Sequence, residues 1–407
     1  MPNNPANIQP FTYSLETLRS AILFNSREVL PTDPNQLNVE LQVLVDNANK
    51  SGQKIRHYIG FEISGRVHLG GGIMTAIKIK KLQEAGVICS LFLADFHTWI
   101  NNKLDGKLET IRRVANDYFI PMMLKNCEAV GCDTKAIEII FAKDEYKKTP
   151  NGNDMFTWDL QIGRQLTLSR VLKSMSITGK TAGENVNFGS LRYPPMQVCD
   201  AFFMQTHLVH AGMDQRKCHV LMREVASKLD GDFALKIGSV RISPIAMHHN
   251  LLLGLSKPVD GEGSRMRDEI VESNKMSKSK PDTCIFGDDT IADITRKIKK
   301  AYCPMPNSDT QTTQEIVEEQ KLNPILDWSK NMILPIFEKL AITTREGVTT
   351  VYDNYQDLED AYCKGDVHPA DLKNALTQSL ITLLEKPRTW AEQNQEAIEY
   401  IQSLNKK

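Results

Sequence analysis

Three short apolar runs constrain this chain more than any other feature. "RHYIGF" spans 56–61 and runs into a Gly/Ser turn, "VICSLFLAD" spans 87–95 and ends on Asp95, and "AIEIIFA" spans 136–142. None alternates cleanly between apolar and polar residues, as expected of strands buried on both faces. Helical patterning lies between them, most clearly in "KLETIRRVANDYFIPMMLKNCEAVG". Strands alternating with helices predict an α/β fold built on a mainly parallel sheet.

The flanks read differently. "LETLRSAIL" and "LNVELQVLVDNANK" place apolar residues three and four apart, with "PTDPNQ" (31–36) as a turn between them. After about residue 286 the strand signals fade. "DDTIADITRKIKKAY" opens with Asp and Thr, good helix N-caps, and carries Ile291, Ile294 and Ile298 on one face. The organisation predicted is an N-terminal helical extension (1–50), a Rossmann-like catalytic domain (51–285) and a helical domain (286–407).

Composition excludes several classes. No apolar run approaches the ~20 residues of a membrane helix. The opening "MPNNPANIQPFTY" lacks the basic start and apolar core of a signal peptide, so a cytoplasmic protein without membrane contact is expected. Lysine plus arginine (49) balances aspartate plus glutamate (50), so any nucleic-acid contact needs local patches such as "RKIKK" (296–300). Eight cysteines show no CxxC pair and no Cys/His cluster suited to zinc. Reduced thiols and no tightly bound metal are expected.

Four stretches carry chemistry. In "YIGFEISGRVHLGGG" a strand enters a Ser-Gly turn, and His68, Gly70 and Gly71 lead into helical patterning. A strand-to-helix turn exposes amides suited to phosphate, although a plain glycine corner with a surface histidine reads equally well. "NKMSKSKPD" alternates Lys275, Lys278 and Lys280 with serines. Such a loop is a solvated face unless something anionic, such as a triphosphate, needs wrapping. "RYPPMQVCDAFF" starts a helix near Pro194 and puts Tyr193, Gln197 and Asp200 in one polar row. The row is either a solvated face or a pocket wall offering a phenol, an amide and a carboxylate. "AGMDQRKCHVLMREVA" sets Asp214 and Gln215 on a turn before another helix.

The pair "HLG" and "KMSKS", roughly two hundred residues apart, resembles the paired signatures of class I aminoacyl-tRNA synthetases. With "YIGFEISG", "LADFHTWINNK", "YPPMQVCD", "GMDQRK", "KIKKAYCP" and "HPADLKNAL", the chain from about Tyr58 to Asn374 resembles the tyrosyl-tRNA synthetase family of the archaeal and eukaryotic branch. That resemblance implies a cytoplasmic, homodimeric enzyme that activates L-tyrosine with ATP and Mg²⁺ and transfers it to tRNA(Tyr). It assigns Tyr58, Glu62, Tyr193, Gln197, Asp200 and Gln215 to the tyrosine pocket, with Asp200 facing the substrate phenol. Gly60, His68, Gly70, Gly71, Asp214, Met276 and Lys278 fall to ATP, with Asp214 at the ribose. His68, Lys275 and Lys278 become the catalytic group. The 286–407 domain becomes anticodon-binding, through His368 and Asp371. Gly71 stands where the family signature has a second histidine, Ile63 where it has proline, and Glu346 where an anticodon-stacking aromatic is expected. More of the phosphate work is then expected of His68, the lysines and backbone amides. Tryptophanyl-tRNA synthetase, a non-catalytic RNA-binding relative and a free-standing adenylyltransferase are the alternatives. The tyrosine row, the KMSKS loop and the HPADLKN stretch respectively argue against them.

Overall fold

The three apolar runs become the centre of one six-stranded sheet. In the computed structural model its strands are β1 (Ser26–Leu30), β2 (Arg56–Phe61), β3 (Ile88–Leu93), β4 (Ile137–Phe141), β5 (Leu208–Gly212) and β6 (Ile245–His249). The residues described are 11–178, 187–259, 267–306 and 310–404. The spatial order is β1–β6–β5–β2–β3–β4, with β2 to β6 parallel and β1 antiparallel at the edge. From β2 the chain moves out to β3 and β4, then returns to the other side as β5 and β6. The strand order therefore reverses beside β2, and a crevice opens there at the carboxyl ends of the parallel strands.

The helix Leu69–Glu84 leaves from that crevice. His68 is its N-cap, and the ring Nδ1 accepts from the Gly71 amide at 3.3 Å. Gly72 permits close packing: a Cβ there would lie 2.9 Å from the Asn126 side chain on the helix Ile120–Val130.

The expected helical extension (1–50) is corrected on one point; its residues 1–10 lie outside the described residues. The helices Leu15–Leu23 and Pro34–Ser51 form as predicted, but β1 lies between them and pairs with β6. Leu18, Ile22, Leu41 and Leu44 share one apolar core with β2 and β3. "SREVL" is too short and polar to announce a strand; only its neighbour β6 supplies the missing hydrogen bonds. Lys78 fastens this segment from within. Its buried ammonium donates to the carbonyls of Ala21 and Ile22 (3.0 and 2.9 Å), to that of Phe24, and to Ser26 Oγ (2.9 Å). It thereby satisfies carbonyls at the end of the first helix, and burial pushes it down to about 7.

The helical domain (286–407) also differs from expectation. It contains a two-stranded hairpin, Leu340–Thr343 with Thr349–Tyr352. Its last helices, Glu385–Gln393 and Gln395–Leu404, return to the first core through Ala391, Ile398 and Ile401. Leu69, Ile73 and Ile77 in turn share a core with residues of the helical region. Apolar periodicity marks these helices but not the surface they cover.

Candidate active site

The crevice contains a cavity of about 1040 Å³. Asp200 lies in its wall on the helix Tyr193–Phe203 and is only 2% exposed. Its Oδ1 accepts from the Tyr146 phenol at 2.6 Å, and His97 Nε2 lies 3.6 Å from Oδ2. Burial pushes the carboxyl up to about 8, against the lowering effect of the Tyr146 bond. Burial also raises the phenols of Tyr58, Tyr146 and Tyr193, reinforced by nearby carboxylates. Tyr193 donates to Glu62, whose Oε1 accepts from Asn101 at 2.8 Å. Gln197 donates to Gln215 at 3.3 Å, and Gln215 to the Ile177 carbonyl at 3.3 Å. Most of the phenols, amides and carboxyls in this part of the site bond to one another, while both ring nitrogens of His97 are buried without a hydrogen-bond partner.

The remainder of the cavity is cationic. His68, Gly70, Gly71, Lys275, Met276 and Lys278 line it together with Gly60 and Asp214. Lys275 Nζ pairs with Asp214 Oδ2 at 2.5 Å, and Lys278 donates to Ser64 Oγ at 3.1 Å. Burial pushes Lys278 down to about 8. Burial, followed by the two lysines, pushes His68 down to about 3, so its ring is neutral. With Nδ1 accepting from Gly71, the His68 proton sits on Nε2 and can be donated.

The amides of this turn are largely engaged, contrary to expectation. Leu69 donates to the Ile285 carbonyl, and Gly71 and Gly72 donate to that of His68. A helix that caps itself so tightly leaves fewer free amides at its start. Glu28 of β1 supports the Asp214–Gln215 turn from the neighbouring edge, accepting from Arg216 at 2.7 Å.

A family model described as tRNA synthetases class I (W and Y) matches residues 50–385. The chain belongs to this family. It is 38% identical over 368 residues to the tyrosine–tRNA ligase of Thermococcus sibiricus, covering 88% of this chain and 94% of that one. It is 39% identical over 358 residues to the tyrosine–tRNA ligase of Pyrococcus horikoshii, covering 87% and 91%. The crystal structure of tyrosyl-tRNA synthetase complexed with L-tyrosine from Pyrococcus horikoshii superposes with a TM-score of 0.83 at 36% identity, covering 96% of this chain and all of that one.

Each residue of this class I synthetase that the sequence marked for small substrates lines the one cavity. Sequence reasoning missed Tyr146, the hydrogen-bond partner of Asp200, and His97, which lies beside the same carboxyl. His97 lies within "LADFHTWINNK", whereas Tyr146, in "KDEYKK", carries no signal at all. The RNA side is less simple. His368 is the exposed N-cap of the helix Pro369–Leu383, its Nδ1 accepting from the Ala370 amide at 3.1 Å, while Asp371 is buried. The basic patch is also reduced. Lys297 is buried against Asp289, and Arg296, though exposed, pairs with Asp282 and Asp293; Lys299 and Lys300 are exposed beside it.

Proposed function

We propose that this class I synthetase is a tyrosine–tRNA ligase: it activates L-tyrosine with ATP and transfers the tyrosyl group to the 3′ end of tRNA(Tyr). One observation carries the reading. A single cavity is lined both by the Asp200 carboxyl with the Tyr58 and Tyr193 phenols and by His68 and the KMSKS lysines. Asp200 would take the phenol O–H of tyrosine, and phenylalanine would leave that buried group unpaired. Tyr58 would pack along the substrate ring, with Tyr193, Gln197, Gln215 and Glu62 around its ammonium.

The tyrosine carboxylate attacks the α-phosphorus of ATP in line, and pyrophosphate leaves. The terminal hydroxyl of the tRNA then attacks the adenylate carbonyl, and AMP leaves. Neither step needs a protein nucleophile; positioning and electrostatics carry both. His68 Nε2–H, Lys275 and Lys278 would hold the phosphates, Gly60, Gly70, Gly71 and Met276 would bound the nucleotide, and Asp214 would take the ribose. Mg²⁺ would arrive on the phosphates of ATP, held by them and by water. Among the described residues, no three His, Cys, Asp or Glu side chains are grouped to hold a metal ion.

Residues 286–383 would face the tRNA, with His368 the exposed contact and Asp371 reached only after local opening. A second copy would cover Phe156, Leu160, Leu168 and Leu172, exposed at i,i+4 spacing on the helices Met155–Gly163 and Leu168–Ser174. Eight free cysteines support a cytoplasmic setting.

The test is amino-acid-dependent ATP–pyrophosphate exchange with tyrosine, tryptophan and phenylalanine in parallel, followed by charging of tRNA(Tyr). Exchange with tyrosine alone is expected. Exchange with tryptophan, or none, would overturn the assignment.

A further inference from the structure

Two histidines of the cavity wall have no part in the reading above. His210 on β5 and His249 at the carboxyl end of β6 are buried, and His210 Nε2 lies 2.8 Å from His249 Nδ1. Their rings meet edge to face, and His57 of β2 packs behind His210 with ring centroids 5.5 Å apart. One of the two facing nitrogens must carry the proton. His210 Nδ1 is buried without a partner. If His249 donated to His210, the His210 proton would move to Nδ1 and become an orphaned buried N–H. If His210 donates, its Nδ1 keeps only an unpaired lone pair, the less costly arrangement. The proton of His249 is then on Nε2.

That nitrogen lies beside the nucleotide side of the cavity. A Cβ built on Gly212 would lie 3.5 Å from His249 Nε2 and 2.8 Å from Asp214 Oδ1. A neutral donor and a carboxylate therefore flank one point at the end of β5. Burial pushes His249 down to about 4, despite the raising influence of Asp214, so the ring stays neutral at physiological pH. A phosphate at that point would face the Asp214 carboxylate without a cation from His249. A vicinal diol matches both groups: one hydroxyl donates to Asp214 and its neighbour accepts from the imidazole.

We propose that His249, held by His210 in its Nε2–H form, contacts a ribose hydroxyl of ATP beside Asp214. The proposal rests on the reading of the cavity as an ATP and tyrosine site. It adds a residue outside the "HLG", "GMDQRK" and "KMSKS" motifs, on β6, the strand next to β5, which leads into the turn bearing Asp214. Gly71 makes the addition informative, because one imidazole donor of the family signature is absent and a different imidazole faces the same ligand.

The experiment measures KM in tyrosine-dependent pyrophosphate exchange for ATP, 2′-deoxy-ATP and 3′-deoxy-ATP. His249→Asn keeps an acceptor near His210 but lacks a donor at the Nε2 position; His249→Gln keeps a donor there. His249→Asn is expected to raise KM for ATP about 3- to 10-fold, the effect of one lost hydrogen bond. For the deoxy analogue lacking the contacted hydroxyl, parent and variant should agree. His249→Gln should restore most of the difference for ATP. An equal penalty on all three nucleotides, or no penalty, would overturn the proposal while leaving the enzyme assignment intact. A parent with no tyrosine-dependent exchange would remove both, and is recognised by the parent alone. A readout free of folding effects is ¹⁵N NMR of histidine-labelled parent protein. The His249 ring should show protonated Nε2 and bare Nδ1, and ATP should shift its Nε2 signal more than the matching deoxy analogue does. A proton on Nδ1 would also overturn the proposal.

Discussion

The two halves of the cavity are built on different principles. Around Asp200 most polar groups already have a partner: Tyr146 for the carboxyl, Glu62 for Tyr193, Gln215 for Gln197. Around the KMSKS loop the cations hold partners that a triphosphate could replace: Lys275 rests on Asp214 and Lys278 on Ser64. The first half rests on a helix packed into the core. The second depends on a loop whose lysines must let go of one anion or hydroxyl to take another. The contrast separates the tasks. Discrimination between tyrosine and phenylalanine needs a rigid, dry acceptor. Stabilising a leaving pyrophosphate needs cations that arrive with the charge.

Acid should expose the difference most strongly. His57, His68, His97, His207, His210, His219 and His249 are all held below the ordinary histidine value by burial, and five of the seven line the cavity. Below about 6.5 the unfolded chain takes up protons that the native protein refuses. Stability therefore falls as pH drops toward about 4, each such histidine contributing up to about 1.4 kcal/mol per pH unit. Asp200 works the other way. Held up to about 8, it keeps its proton when the unfolded chain releases one, and contributes less stability as pH rises from about 4 to 8. Seven groups outweigh one, so Tm should fall between pH 7 and 5.5. A flat Tm over that range would contradict the buried neutral histidines.

The next largest effect belongs to the rigid half. Asp200→Ala should lower kcat/KM for tyrosine more than about 100-fold and erase most of the preference over phenylalanine, as loss of a buried hydrogen-bonding carboxyl requires. A near-normal kcat/KM would remove Asp200 from the pocket. Lys278→Ala should instead slow adenylate formation by about 100-fold in a single turnover, the scale for one electrostatic donor. Its tyrosine affinity, measured by equilibrium titration, should not change. Equal losses in both quantities would dissolve the distinction between the halves.

The smallest effects sharpen the turn where the halves join. At Gly71 an added Cβ meets only His68 Cε1, at 3.9 Å, an ordinary contact. Gly71→Ala and Gly71→His should fold with Tm near that of the parent, and exchange should be retained. At Gly72 an added Cβ would meet Asn126 at 2.9 Å and Val67 at 3.0 Å. Gly72→Ala should cost about 1–3 kcal/mol through overpacking. Denaturant melts of the two neighbours decide the matter; equal stabilities would mean that the helix can shift to make room.

Much of this was legible in the residues. The strands β2, β3 and β4 are long, apolar and bounded by turns, so their own hydrophobicity announces them. The helix after "RYPP" and the order of its polar row follow from proline chemistry and the 3.6-residue period. Resemblance of the motifs to a known family, rather than their spacing alone, brought Asp200, Asp214, His68 and the lysines into one expected site. Other features were silent because they depend on neighbours distant in sequence. β1 is polar and five residues long, and becomes a strand only by pairing with β6. Tyr146 gains its role from Asp200, 54 residues away.

The sequence by itself determined the α/β alternation, the helical C-terminal region, and the residue types that gather phosphate and phenol chemistry, because each is a local matter of hydrophobicity, turn chemistry or motif. Only the tertiary structure decided which groups face each other and at what cost in hydration. It buried Asp371 and Lys297, engaged the amides after His68, and folded the last helices back onto the first core. It also set two histidines 2.8 Å apart at the edge of the nucleotide cavity. Pairing and burial are properties of contacts between distant segments, and no single stretch of chain carries them.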